Sequence, residues 1–282
     1  MTAMHNPQQP DAGAGIDYAR RDLGTPYPTF SERLPREELT AGRYVVRFAR
    51  TVEDLDAIER LRFQIFNLEL GEGLDSAFAS GRDHDELDPH FHHLLIGCET
   101  TGEVVGTYRL QTSEMAAAGA GFYSAAEFDL GGLPEEFVRQ AVEVGRACVA
   151  KDHRNGRVLN LLWRGLALYM VHNEKRHLFG CCSLTSQDQA LGLATMQHLR
   201  RAGHVHPTLL APPLPALSCT GADPADVAAS EVRIPPLFAS YLSLGAKVFG
   251  PPAIDRQFKT IDFLVALDVT ALDEHSYRFF FR

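Results

Sequence analysis

A glutamate, a glycine and an arginine interrupt the apolar run AVEVGRACVA at residues 141–150. The run has the composition of a buried strand, yet Glu143 and Arg146 are charged and Gly145 lies between them. Side chains of a regular strand alternate between faces, so residues three apart point to opposite sides. Glycine favours a β-bulge, which redirects a side chain and frees backbone N–H groups. A bulge near Gly145 would therefore bring both charges and free N–H donors to one cleft, where the donors can stabilise an oxyanion.

The segment KDHRNG follows directly and is basic. It contributes Lys151, His153 and Arg154, and its Gly156 stands just before a helical pattern. A helix N-terminus presents unpaired N–H groups and binds anions. Strand, bulge, loop and helix together indicate a site for a thioester carrier, with the carbonyl at the strand and the phosphate at the loop. A strand with one internal ion pair followed by a basic turn would leave the same pattern.

The elements that position these residues follow from the spacing of apolar residues. Alternation or short apolar runs predict strands at 43–50, 93–99, 103–112, 141–150, 177–185 and 261–269. Helical spacing predicts helices at 51–71, 158–176 and 188–204, and within 234–250. This order predicts an α/β (α+β) fold with a mixed central sheet flanked by helices.

The chain divides into an arm and one domain. Residues 1–42 are rich in proline, glycine, alanine and charge without periodicity, which predicts a mobile N-terminal arm. Residues 43–282 are predicted to form a single domain, with a Pro-rich excursion at about 205–235.

Composition and charge exclude several classes of protein. There are 27 basic and 36 acidic residues, a net charge of −9, which argues against nucleic-acid binding. The five cysteines form no C-x-x-C pair, so neither a disulfide framework nor a zinc ribbon is expected, and a reducing cytoplasm fits. The sequence shows no signal peptide and no apolar stretch of about 18 residues, so any contact with the inner membrane is predicted to be peripheral. No metal site is predicted, because His90, His92 and His93 lack further ligands at suitable spacing.

The strand, the RNG turn and the helix after it resemble the phosphate-binding loop of the GNAT acyltransferase superfamily. That loop reads [RQ]-x-x-G-x-[GA], and here Arg154 and Gly156 match it loosely, while Val158 stands where a small residue is expected. The resemblance implies a GNAT-like domain with no tightly bound cofactor. A 4′-phosphopantetheine arm carries a single phosphate in place of the diphosphate of coenzyme A, so the reduced loop favours acyl carrier protein as the donor.

A second resemblance is to the acyl-homoserine-lactone synthases, a branch of the same fold. That family has an arginine and a phenylalanine four apart on the first helix, a D-x-x-D loop, an R-L pair and an E-x-x-R strand. The matching residues, in the same order, are Arg62, Phe66, Asp85, Asp88, Arg109-Leu110, Glu143 and Arg146. The tryptophan of the family's LG-W element is missing from LELGEG, which disfavours lactone formation.

Longer blocks resemble the ornithine-lipid N-acyltransferase family, from about residue 43 to residue 269. They read FHHLLI, VVGTYRLQT, FYSAAEFDL, EVGRACV, LLWRGLALYM and VFGPPAIDRQFKTIDFLVALDV. The resemblance implies transfer of a 3-hydroxyacyl group from acyl carrier protein to the α-amine of ornithine, giving lyso-ornithine lipid. Glycine, lysine or glutamine as acceptor, and a synthase of the acyl-homoserine-lactone type, are the alternatives.

Each motif then receives a hypothetical role. Glu143 would take the proton of the amine, directly or through water, and Gly145 and Arg146 would support the oxyanion or fix Glu143. The acceptor would lie among residues that bind its ammonium and carboxylate groups or shape its side of the site: Arg62, Phe66, Asp83, Asp85, Asp88 and Arg109. Lys151, Arg154 and Gly156 would hold the phosphate of the carrier.

Overall fold

The computed structural model describes residues 22–281 of the 282-residue chain, so half of the predicted arm, residues 1–21, lies outside the described residues. The strands are β1 (Leu39–Ala41), β2 (Tyr44–Phe48), β3 (His92–Cys98), β4 (Glu103–Thr112), β5 (Ala141–Val149), β6 (His177–Leu184), β7 (Lys247–Val248), β8 (Ala253–Asp255) and β9 (Thr260–Asp268). The helices are α1 (Val52–Phe63), α2 (Ala77–Ser80), α3 (Ser113–Ala118), α4 (Glu135–Arg139), α5 (Gly156–His172), α6 (Gln189–Arg201), α7 (Pro236–Ser243) and α8 (Glu274–Phe281).

The strands form one sheet in the order β1-β2-β3-β4-β5-β6-β9-β7, and β8 also pairs with β9. Neighbouring strands are antiparallel except β5 and β6, which are parallel. The predicted mixed sheet flanked by helices is therefore confirmed.

The parallel pair separates after three residues. Its register covers only Ala141–Glu143 against His177–Phe179, although both strands continue beyond it. Gly180 stands where they part, and a Cβ there would lie 2.0 Å from the carbonyl oxygen of Val144. The two strands thus open a cleft in the middle of the sheet.

The close approach at Gly180 gives a stability prediction. We expect Gly180→Ala to lower the free energy of unfolding by about 1–3 kcal/mol, because the new methyl group must push the backbone of β5 away. Gly145→Ala on the neighbouring strand is the matched control, since a Cβ there meets no atom within 4 Å. Urea denaturation measures both variants, and equal losses would contradict the role assigned to Gly180.

The two faces of the sheet differ in chemistry because successive strand residues alternate. One face carries Tyr108, Leu110 and Phe263 and packs in the largest apolar core together with Leu162 of α5. The opposite face carries buried polar residues at the alternate positions, among them Arg109, Gln111 and Glu143. The cleft between β5 and β6 connects the apolar face with the polar one.

The domain begins earlier than residue 43, the start that the sequence predicted. Strand β1 pairs with β2, and Leu34 is buried in the main core. Three strand residues and one apolar side chain are too few to show a periodic pattern, which is why this segment reads as an arm. The excursion at 205–235 also contacts the sheet, through bridges from Val205 to Val248 of β7 and from Ser218 to Ala253 of β8.

Within residues 22–281, no helix is both long and apolar enough to cross a membrane. Peripheral contact with a membrane stays a prediction.

Candidate functional site

A cavity of about 770 Å³ occupies the cleft between β5 and β6. On the polar face its wall includes Arg109, Tyr123 and Glu143. Behind the cleft the wall is mainly apolar, with these side chains: Tyr108, Leu159, Leu162, Leu178, Phe238, Tyr241, Val265 and Leu267. The predicted loop residues Arg154 and Gly156 also line the cavity. A polar reaction centre and a long apolar compartment therefore share one space.

The predicted bulge is present in β5. Arg109 pairs with Gly145 and Thr107 with Cys148, so two residues of β5 oppose Tyr108 of β4. The unusual backbone conformation falls on Arg146, whose φ is 48°, and not on Gly145 as expected. A non-glycine residue in this region costs about 1–3 kcal/mol and persists where its surroundings enforce it. The bulge therefore depends on the contacts that hold Arg146 in this conformation, and not on the conformational freedom of Gly145.

Glu143 is buried and all of its acceptor capacity is used. Its Oε1 accepts hydrogen bonds from the backbone N–H and the hydroxyl of Ser124, at 2.7 and 2.6 Å. Its Oε2 accepts from Gln111 Nε2 and from the backbone N–H of Tyr123, at 2.7 and 2.8 Å. The carboxylate therefore holds the turn at residues 123–126 against the sheet and is itself held at the cavity wall.

Arg62 and the predicted acidic loop meet in a buried cluster. Arg62 lies 2.7 Å from Asp83 and 2.8 Å from Asp88, and all three side chains are fully buried. Arg109 lies 2.7 Å from Asp85 and 3.1 Å from Asp88. Burial alone would raise the pKa of the Asp88 carboxyl, but Arg62 and Arg109 hold that pKa well below its usual range.

Arg146 completes this cluster, 3.4 Å from Asp83 and 3.3 Å from Asp85. Three arginines thus neutralise three aspartates, and none of the aspartates lines the cavity. The expectation that Asp83, Asp85 and Asp88 bind the ammonium of a substrate is revised, because their charges are already balanced. Arg62 is likewise buried outside the cavity wall and acts as a support.

Arg109 and Arg146 reach from the cluster to the cavity wall, where aromatic rings fix them. Arg109 lies over the rings of Phe91 and Tyr123, at 4.8 and 5.1 Å from their centroids. Arg146 lies 4.1 Å from the centroid of Phe258 and 5.5 Å from that of Tyr123. The cluster therefore positions two guanidinium groups in the wall of the cavity that Glu143 also lines.

Phe66 also lines the cavity and packs edge-on against Phe258 at 5.3 Å between centroids, and its role on the substrate side stays a prediction. It belongs to a π-helical segment, Gln64–Glu69, that continues α1. Segments of this kind often occur at functional sites.

Side chains of the basic loop already form hydrogen bonds within the chain, which the sequence did not predict. Arg154 forms two hydrogen bonds with Glu69, at 2.5 and 2.8 Å. Asn155 caps α5 by accepting from the backbone N–H groups of residues 157 and 158. Lys151 is exposed and does not line the cavity. An anion at this helix end would therefore compete with Glu69 and with the cap.

His92 and His93 serve the structure. His92 Nδ1 forms a hydrogen bond of 2.8 Å with the Tyr169 hydroxyl, and His93 Nε2 lies 3.0 Å from the backbone oxygen of Asp88. Burial lowers the pKa of each imidazole to about 4. Both are therefore neutral near pH 7.

Sequence reasoning missed several residues of the site. Gln111, Tyr123 and Ser124 hold Glu143, but their types and spacing give no signal for that role. Glu127 and Asp262 are buried carboxylates beside the cavity. An aspartate inside the apolar run IDFLVALDV was the one available signal for Asp262.

Comparison with known proteins identifies relatives of this chain. Residues 61–164 match the family model described as acetyltransferase (GNAT) domain. The L-ornithine N(alpha)-acyltransferase of Rhodobacter capsulatus is 34% identical over 250 residues, which cover 85% of this chain and 95% of that protein.

Two solved structures are similar at lower identity. One is FeeM, an N-acyl amino acid synthase from uncultured soil microbes, at 12% identity and a TM-score of 0.49, covering 82% of this chain and 95% of that one. The other is the AHL synthase LasI, at 14% identity and a TM-score of 0.43, covering 81% and 91%. The curated relative decides the assignment: this chain belongs to the L-ornithine N(alpha)-acyltransferase family, on the GNAT acyltransferase fold.

Proposed function

We propose that this protein transfers a 3-hydroxyacyl group from acyl carrier protein to the α-amine of ornithine and so forms lyso-ornithine lipid. The observation that carries the proposal is the cleft between β5 and β6, which joins a polar centre to an apolar compartment. The names of the related acyltransferases support ornithine as the acceptor.

The donor thioester lies along β5 in this proposal. Beyond Glu143 the strand no longer pairs with β6, so its edge is available to the carrier arm. The acyl chain enters the apolar compartment behind the cleft, where burial contributes about 0.8 kcal/mol for each CH₂ group. The hydroxyl groups of Tyr108 and Tyr241, 2.5 Å apart, are polar groups in that compartment's wall.

The reaction requires a free amine and a stabilised oxyanion. The α-amine attacks the thioester carbonyl, the new N–C bond forms, and the C–S bond breaks to release the carrier thiol. The amine loses one proton to Glu143, directly or through water, and the departing sulfur takes up one proton. An α-amine has a pKa near 8, so a useful fraction is already unprotonated at neutral pH.

The surroundings of Glu143 allow it to accept that proton. Three of its four donors are N–H groups, which cannot reverse their hydrogen bonds. The Ser124 hydroxyl can both donate and accept, so it can turn and accept from a protonated Oε1. Backbone N–H groups at the bulge and the guanidinium of Arg146 stabilise the oxyanion, while Arg109 meets the carboxylate of the acceptor.

The carrier phosphate is placed at the basic loop. Arg154 and Gly156 line the cavity there, and Lys151 adds positive charge nearby on the surface. A phosphate would replace Glu69 as the partner of Arg154. The ion pair between Arg154 and Glu69 is exposed, and pairs of this kind contribute little to stability.

Mass spectrometry of lipids tests the proposed function. We expect a new 3-hydroxyacyl-ornithine in a bacterial host that makes the protein, and a much smaller amount in the same host making Glu143→Gln. The purified enzyme is also assayed with acyl carrier protein and coenzyme A thioesters of one acyl chain, and faster turnover with the carrier is expected. An unchanged lipid profile with folded protein present would contradict the proposal.

The same assay separates the alternatives. A mixture of ornithine, lysine, glutamine and glycine identifies the preferred acceptor from the masses of the products. Addition of S-adenosylmethionine, with release of a homoserine lactone, would identify a synthase of the lactone type.

A further inference from the structure

A group of acidic side chains beside the cavity has no role in the reaction described so far. The ligand-type atoms of Glu127, Cys181 and Asp262 all lie within 4.8 Å of one another. Glu127 and Asp262, here called the acidic pair, are 5% and 3% exposed. Asp262 and Cys181 line the cavity, so the acidic pair is buried but adjoins the space that holds the substrates.

The acidic pair lacks a cation. Among residues 22–281, neither carboxylate has an arginine or lysine nitrogen within 4.0 Å. The nearby Arg146 is engaged with Asp83 and Asp85. Two carboxylates so close and so buried are costly unless a proton or another cation lies between them.

Asp262 also has an open acceptor position. Thr260 donates to its Oδ2 at 3.3 Å, but its Oδ1 is buried without a hydrogen-bond partner. Burial and the neighbouring Asp262 raise the pKa of Glu127, and burial raises that of Asp262. The free pair therefore keeps a proton at neutral pH, and a bound cation with hydrogen-bond donors would take the place of that proton, which would pass to solvent.

The position of the acidic pair relative to Glu143 suggests the ligand. Glu127 directly follows the turn at residues 123–126, whose N–H groups hold Glu143. Cys181 and Asp262 lie on neighbouring antiparallel strands, where Cys181 pairs with Leu264 and Ser183 with Asp262. An acceptor with its α-amine at Glu143 can thus extend its side chain across this wall of the cavity.

We propose that Glu127 and Asp262 bind the side-chain ammonium of a diamino-acid acceptor and so select such acceptors over neutral ones. This assignment rests on the proposed function, because it places the acceptor's reacting α-amine at Glu143. An ammonium group carries three donors, which matches the carboxylates of the acidic pair.

A competition between two acceptors tests the inference. Norvaline is ornithine without its side-chain amine, so equimolar norvaline and ornithine compete for one acyl carrier protein thioester. We expect the full-length enzyme to favour ornithine by about 10- to 100-fold, the value of a charged hydrogen-bonded contact. Asp262→Asn and Glu127→Gln should each bring the ratio of the two N-acyl products close to one.

The control is Glu136→Gln, which removes an exposed carboxylate paired with Arg139 and should keep the wild-type ratio. Circular dichroism verifies that each variant is folded. The ratio of products from the wild-type enzyme tests the inference even if a variant fails to fold. A wild-type ratio near one, or an unchanged ratio in both acidic-pair variants, would overturn the inference. So would a stoichiometric divalent metal in the purified protein that both variants lose.

Calorimetry separates this inference from the proposed function. If neither acceptor is acylated, the proposed function fails, and binding of ornithine and norvaline to the free protein is measured instead. Tighter binding of ornithine that Asp262→Asn abolishes would still support the ammonium site. Equal affinities for the two amino acids would overturn it.

Discussion

Replacing Glu143 with glutamine is expected to lower the turnover of N-acylation by about 100-fold or more and the free energy of unfolding by about 1–3 kcal/mol. The first effect follows from loss of the proton acceptor in the proposed reaction. The second follows from the four donors that surround the carboxylate. The variant is therefore expected to lose stability as well as turnover.

The amide of glutamine cannot satisfy all four donors. Its NH₂ group must face either the two donors of Ser124 or the pair from Gln111 and Tyr123. The Ser124 hydroxyl can turn and accept, so the NH₂ group should take that side. The backbone N–H of Ser124 then remains buried without an acceptor, which is the source of the expected loss of stability.

Ser124→Ala is the companion variant, because it removes one donor and keeps the carboxylate. Initial rates with a saturating thioester, together with urea denaturation, measure both variants. We expect Ser124→Ala to retain activity within about tenfold, the value of one hydrogen bond. Turnover near the wild-type value in Glu143→Gln would contradict the assignment of Glu143 as the proton acceptor. Equal loss in both variants would indicate that the position of the turn, and not the carboxylate, limits the rate.

The fold was predictable where patterns are long. Strand β4 spans ten residues and α5 seventeen, and their alternation and helical spacing are clear in the sequence. Strands β1, β7 and β8 have two or three residues each, which is too short for any period. They form because the neighbouring strands offer unpaired edges, and these edges exist only once the sheet has assembled.

The residue types of the site were predictable from the sequence, but the pairing of their charges was not. Glu143, Arg146 and the bulge follow from charges and a glycine inside one apolar run. The neutralisation of the acidic loop does not, because Arg62 and Asp88 are 26 positions apart and meet only through the path of the loop. Glu127 and Asp262 of the acidic pair are 135 positions apart in the sequence, and no local pattern could connect them.

Replacing Arg62 with methionine is expected to lower the free energy of unfolding by about 3–5 kcal/mol, the usual cost of removing one partner of a buried ion pair. Arg62 is fully buried and contacts both Asp83 and Asp88. Methionine fills much of the same volume, so the loss reports charge more than packing. Urea denaturation at pH 7 measures it, and activity should fall as well because the aspartates also position Arg109 and Arg146.

Arg60→Met on the same helix is the matched control. The Arg60 side chain is 57% exposed, and its partner Asp56 is also held by Arg82, at 2.6 Å. We therefore expect a loss of about 0–1 kcal/mol from Arg60→Met. A similar small loss from Arg62→Met would contradict the structural role of the cluster.

Acid pH gives a second readout for Arg62. The folded-state pKa of Asp88 is depressed, so its contribution to stability is present above the unfolded value, about 3.9. That contribution is lost as the pH falls through the folded value, because Asp88 then becomes protonated in both states. The stability difference between wild type and Arg62→Met should therefore shrink as the solution is acidified below about pH 4, while the small difference for Arg60→Met should change little. A difference for Arg62→Met that is independent of pH would mean that lost packing, not lost charge, destabilises the variant.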